Sequence, residues 1–143
     1  MRSSSLIIAA IVLSSCLEFV RAADEKPNEI EGMWMIAELT IDGTVTNLND
    51  LQLAPNVVIT ADKFQIGGRT VARYTLAPDG TPKLLDLRIG EDPNADISEG
   101  IYKLADDTLT MCLRPAGGVK DRPTDFASTP GSGLVLSVLK RMK

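Results

Sequence analysis

The sequence predicts an all-β domain: an antiparallel sheet of about eight strands closed into a barrel. Three observations lead there. No apolar stripe of helical period appears after the first two dozen residues. Short runs of β-branched and apolar residues recur instead, each bounded by Gly, Pro, Asn or Asp. Most of the connections are of hairpin length, and about eight strands in roughly 120 residues can remove their sheet edges by pairing first strand with last.

Each element is read in order. Met33 to Ile41 alternates Met33, Met35, Ala37, Leu39 and Ile41 against Trp34, Ile36, Glu38 and Thr40, and stops at Asp42-Gly43. Asn47 to Leu53 is polar and Leu-rich, a short helical turn or an irregular crossover. Val57 to Thr60 is the second strand and Lys63 to Ile66 the third, with Ala61-Asp62 turning between them. Gly67-Gly68 leads into Thr70 to Leu76, and Pro78-Asp-Gly-Thr-Pro82 is a dense turn cluster. Lys83 to Ile89 places Leu85, Leu87 and Ile89 opposite Leu84, Asp86 and Arg88. After the acidic loop Gly90 to Ile97 come Gly100 to Ala105, the Asp106-Asp107 turn and Thr108 to Arg114. Asp-Asp lacks the Gly of a favoured two-residue hairpin, which predicts a longer turn. About nineteen residues then pass without a strand signal, more than is usual in a compact domain. Leu134 to Lys140 closes the chain.

The first 22 residues carry the marks of an export signal. Arg2 is the basic start, and Leu6 to Leu13 is an apolar run too short for a bilayer span, which needs roughly 20 residues. Two processing routes fit. Val20-Arg21-Ala22 allows ordinary cleavage before Ala23, leaving 23–28 as a tether and 29–143 as the barrel domain. Alternatively, Leu13-Ser14-Ser15-Cys16 resembles a bacterial lipobox, in which 1–15 would be removed and Cys16 lipidated. Either route predicts a domain outside the cytoplasm, periplasmic, secreted or held at a membrane by lipid.

Cleavage before Ala23 leaves 13 Lys+Arg against 18 Asp+Glu, a net charge of −5 compared with −4 for the whole chain. That acidic balance argues against a nucleic-acid partner. The chain has no His, the commonest general base and metal ligand. Cys112 would be the one thiol of the processed domain, so no internal disulfide is expected. Its setting, Leu109-Thr-Met-Cys-Leu-Arg114, reads as a structural strand position because nothing nearby in sequence would lower its pKa.

Several strings occur in a set order: Glu31-Gly-Met-Trp34, Gly100-Ile-Tyr-Lys-Leu104, Asp107-Thr-Leu109, Arg122-Pro-Thr-Asp-Phe126, Ser128-Thr-Pro-Gly-Ser-Gly133 and Val138-Leu-Lys-Arg141. Over residues 29 to 143 the set resembles the lipocalin-like domain family of planctomycete bacteria. The resemblance implies an eight-stranded, calyx-like up-and-down barrel. It also implies closure of one end by Gly32 and Trp34, with Lys140 or Arg141 laid on the indole face. The chain departs from lipocalins in its shorter strands and its lack of a disulfide.

Function is less legible. A non-catalytic binding module for a small apolar or amphipathic ligand is the expectation, with Tyr74 and Tyr102 as candidate lining residues. The alternative is a structural or protein-interaction domain of the cell envelope with a filled core, its partner an envelope protein. In the long loop, Arg122 and Asp125 are expected to tie the chain down while Phe126 plugs a barrel end. The reading expects a monomer without cofactor or metal. Asp86, Glu99 and Asp125 are not spaced as a catalytic pair, and Gly67-Gly68 and Gly117-Gly118 are turn glycines. The loop Glu91, Asp92, Asn94, Asp96 lacks the central Gly and distal Glu of a calcium loop.

Overall fold

The computed structural model describes residues 28–52, 55–90, 92–117 and 121–143. The expected signal segment, Cys16 and nearly all of the tether lie outside them. The described chain is all-β: β1 (Gly32–Ile41), β2 (Thr44–Val45), β3 (Asn56–Ile59), β4 (Lys63–Ile66), β5 (Arg69–Ala77), β6 (Lys83–Ile89), β7 (Ile97–Ala105), β8 (Thr108–Leu113) and β9 (Val135–Arg141). From β3 to β9 each strand pairs antiparallel with the next, and β1 pairs with both β3 and β9, closing the sheet. Eight strands thus form the barrel, while the two-residue β2 folds back on the end of β1. The predicted fold class is the observed one.

Strand boundaries follow the turn chemistry. Lys63–Ile66 and Lys83–Ile89 coincide with the expected strands. Asp106 takes φ 54°, a left-handed conformation that Asp tolerates. The β7–β8 hairpin therefore needs only Asp106 and Asp107, and the expected longer turn is corrected. The Asn47 segment is a run of turns, with Leu51 N–H donating to Leu48 O at 3.1 Å and Asn47 Oδ1 capping Asn49 N–H at 2.9 Å.

Register decides which side chains face inward. A bulge between Ile36 and Glu38 inserts one residue into β1 against β9. Because side chains alternate, that extra residue brings Trp34 and Ile36 below it, and Leu39 above it, to the same interior face. Simple alternation had placed Trp34 and Leu39 on opposite faces. A second bulge, between Phe64 and Gln65 on the β4–β5 ladder, does the same for Val71 beside Ala72. The core runs from Ile30 and Trp34 through Leu85, Tyr102 and Leu109 to Leu139, all at most 1% exposed.

Between β8 and β9 the described residues make an external strap rather than an end plug. It crosses the outer face of β6 to β8 and shields Ile101 and Cys112, a cross-strand pair fully buried outside the barrel lumen. Cys112 Sγ–H donates to Ala127 O at 3.6 Å. The strap returns to the mouth through Ser128, whose hydroxyl accepts from Gly43 N–H at 2.9 Å and donates to Leu134 O at 2.8 Å.

Candidate functional site

The two ends of the barrel differ in chemistry. At the lower end Trp34 is fully buried, and its indole N–H donates to Ile30 O at 2.9 Å. The guanidinium of Arg141 lies 4.2 Å from the ring centroid. Its two terminal nitrogens donate to Glu31 O at 3.0 Å and Glu29 O at 3.2 Å, fastening the segment before β1 across the opening. Gly32, at φ 140°, admits this cation: a Cβ there would stand 2.7 Å from Arg141 Nη1. Lys140 points elsewhere, donating to Thr108 Oγ1 at 2.7 Å. Of the two basic residues, Arg141 makes the stack.

Tyr74 and Tyr102 sit at this same closed end, which corrects their expected place at the ligand mouth. Tyr74 is 5% and Tyr102 1% exposed. The Tyr102 hydroxyl donates to Glu29 Oε1 at 2.9 Å, and Lys83 Nζ holds the same carboxylate at 2.7 Å. The Tyr74 hydroxyl accepts from Asn28 Nδ2 at 2.8 Å and donates to Thr60 O. Asn28, the last residue of the expected tether, is thus part of the closure. Lys83 holds the Glu29 carboxyl below its ordinary pKa, with help from Tyr102. Burial, then the hydrogen bond to Glu29, raises the Tyr102 hydroxyl. Burial also raises Tyr74.

The strap residues are placed differently from expectation. Arg122 pairs with Asp86 at 2.7 Å and Glu99 at 3.0 Å, and donates to Gly100 O at 2.9 Å. Arg114 completes the cluster on Glu99 at 2.6 Å. Asp125 is exposed and forms no ion pair among the described residues. Phe126 lies against the outer wall, 4.6 Å from Lys103 Nζ, and plugs no barrel end. Asp86 and Glu99 are thereby structural acids. Burial raises the Cys112 thiol, the opposite of what a nucleophile needs. In the acidic loop Asp92 Oδ1 accepts from Asn94 N–H at 2.9 Å, an ordinary turn, and Glu91 lies outside the described residues. No metal-holding group of three or more His, Cys, Asp or Glu occurs among the described residues.

At the mouth the interior opens into an apolar cavity of about 230 Å³. Its lining includes Ile36 and Leu39 of β1, Phe64 of β4, Val71 and Ala72 of β5, Leu87 of β6, Met111 of β8 and Leu139 of β9. Ser137 supplies the one hydroxyl of the lining, and Ile89, 50% exposed, stands at the rim. Sequence reasoning did not single these residues out. Their shared face depends on the two bulges, and an inserted residue leaves no mark in the hydrophobic pattern.

Comparison with protein-family models, with curated proteins and with solved structures finds no match to this chain.

Proposed function

We propose that the protein is a non-catalytic binding module that takes a small apolar or amphipathic ligand into the mouth of its barrel. The observation that carries this reading is the 230 Å³ cavity whose lining offers one hydroxyl among aliphatic and aromatic side chains. An apolar cavity of about 150 Å³ already holds benzene, whereas drug-sized sites span roughly 300–1,000 Å³. The volume therefore suits one ring or one alkyl chain, with any polar group left at the rim. The quoted motifs support a place in the lipocalin-like family, and the basic and apolar start of the chain supports export. Asp86 and Glu99, opposite one another on β6 and β7, are both engaged by Arg122 of the strap, which favours binding over catalysis.

Native mass spectrometry of the protein purified from its own cells tests this, together with displacement of an apolar fluorescent probe. A retained small apolar molecule, or a saturable one-to-one probe signal, is expected. Ala72→Phe, which fills the cavity from β5, should abolish both. Loss of neither on this substitution, or no ligand and no saturable probe binding in the unaltered protein, would overturn the reading in favour of an interaction domain with a filled core.

A further inference from the structure

The outer wall of β4, β5 and β6 carries a row of cations that the mouth does not use. Register places Lys63 opposite Arg73 and Arg73 opposite Arg88. Like charges directly opposite one another destabilise a sheet, and here they cluster in a chain of net charge −4. Asp62 offsets Arg73 at 3.3 Å, with both side chains at least half exposed. Arg88 has no such acid among the described residues, and its Nε is buried without a hydrogen-bond partner. A recess of about 110 Å³ opens beside the two arginines, with Thr75, Asp86 and the partly exposed Ile97 on its walls. Asp86, the one carboxylate there, already faces Arg122 at 2.7 Å.

We propose that this recess is a binding site for a phosphate group held between Arg73 and Arg88. One guanidinium fork saturates a planar carboxylate with two parallel bonds, whereas a tetrahedral phosphate has oxygens enough to bridge two forks. The Thr75 hydroxyl adds a third donor on the same wall. The recess is well below the roughly 300 Å³ of an extended-ligand site. Only the phosphate enters, and the rest of a phosphate ester lies outside against Ile97. The site is distinct from the mouth cavity. Arg73 and Arg88 face outward, while their chain neighbours Ala72 and Leu87 face the lumen.

Calorimetric titration of the purified protein with inorganic phosphate, at constant ionic strength, tests the proposal. Saturable one-to-one binding is expected, weakened about tenfold or more by Arg88→Gln or Arg73→Gln and unchanged by Lys140→Gln, a cation on another face. Sedimentation with vesicles of acidic phospholipid, against vesicles of neutral lipid, separates the sources. Vesicle binding that phosphate displaces and Arg88→Gln removes assigns the site to a lipid headgroup. Phosphate binding without vesicle binding assigns it to a free phosphate compound. Absence of both, equal weakening by Lys140→Gln, or equal binding of acetate overturns the proposal. In phosphate-free buffer Arg88→Gln should keep or raise Tm, because it relieves the opposed pair. A fall would show that Arg88 is a structural residue and would also overturn it.

Discussion

At the lower end of the barrel, Trp34, Arg141, Tyr74 and Tyr102 are joined to Asn28, Glu29 and Ile30 by a continuous set of hydrogen bonds and one cation–ring contact. At the mouth, seven of the eight barrel strands, all but β7, surround 230 Å³ of space with apolar side chains and one hydroxyl. The difference lies in what each end asks of its neighbours. Polar groups buried at the lower end need fixed partners, so that end is held in one geometry. The mouth has few polar groups to satisfy, so its lining needs no such partners. Fixed polar contacts are concentrated where the chain is sealed, which leaves the other end nearly free of them.

The largest blow to this contrast should come from Trp34→Ala. It removes a fully buried indole, the stack on Arg141 and the bond to Ile30 O. A loss of about 3–5 kcal/mol in urea unfolding is expected. A loss below about 1 kcal/mol would mean that the lower end is not sealed by this residue.

Arg141→Ala comes next. Losing the ring contact and two bonds to backbone carbonyls should cost about 2 kcal/mol. Arg141→Lys should recover little of it, since an ammonium cannot both cover the indole and reach two carbonyls in a fixed fork. Lys140→Ala, on the adjacent residue, should stay within about 0.5 kcal/mol. Equal effects at 140 and 141 would erase the distinction between stacked and surface cation.

The lower end also shows how much of the molecule could be read beforehand. The strand count and the closure follow from local patterns, because turn residues and alternation are local physics, whereas the pairing of Trp34 with a terminal basic residue was implied only by the family resemblance. The choice of Arg141 over Lys140 was not legible, since it depends on which of two successive side chains faces inward after a bulge 104 residues earlier in the chain. Tyr74 and Tyr102 are amphipathic enough for a ligand mouth. Only the register shows that their hydroxyls meet Asn28 and Glu29. Arg122 was recognised as an anchor, but its acids lie on β6 and β7, 36 and 23 residues away, rather than at Asp125. Phe126 had looked like a plug because nothing in its surroundings signals Lys103 on an outer wall.

Tyr102 gives the comparison a pH dependence. Its folded pKa is raised, by burial first and by the hydrogen bond to Glu29 second, while an unfolded Tyr titrates near about 10. Above that pH the unfolded chain gives up a proton that the folded chain keeps. The contribution is therefore full below about pH 10 and declines as pH rises towards the folded value, with a slope of about 1.4 kcal/mol per pH unit. Tyr102→Phe should cost about 1 kcal/mol at neutral pH for the lost bond, and should remove that slope. Urea midpoints of both proteins between pH 8 and 11 would show the curves converging. Parallel curves would place the Tyr102 hydroxyl in water.

At the mouth the effect of filling the interior should be small, and its smallness is the point. Ala72 is 1% exposed and faces Phe64 across the β4–β5 ladder, on the wall of the cavity. Inserting a ring into a packed core costs about 1–3 kcal/mol through strain. Ala72→Phe has 230 Å³ of apolar space to enter, so strain should be small and the added burial should offset it. A net change within about 1 kcal/mol is expected. Stability kept with probe binding lost separates the mouth from the sealed end in one variant. A cost above about 3 kcal/mol would instead show that the mouth is as tightly packed as the Trp34 end, and the contrast between the two would fail.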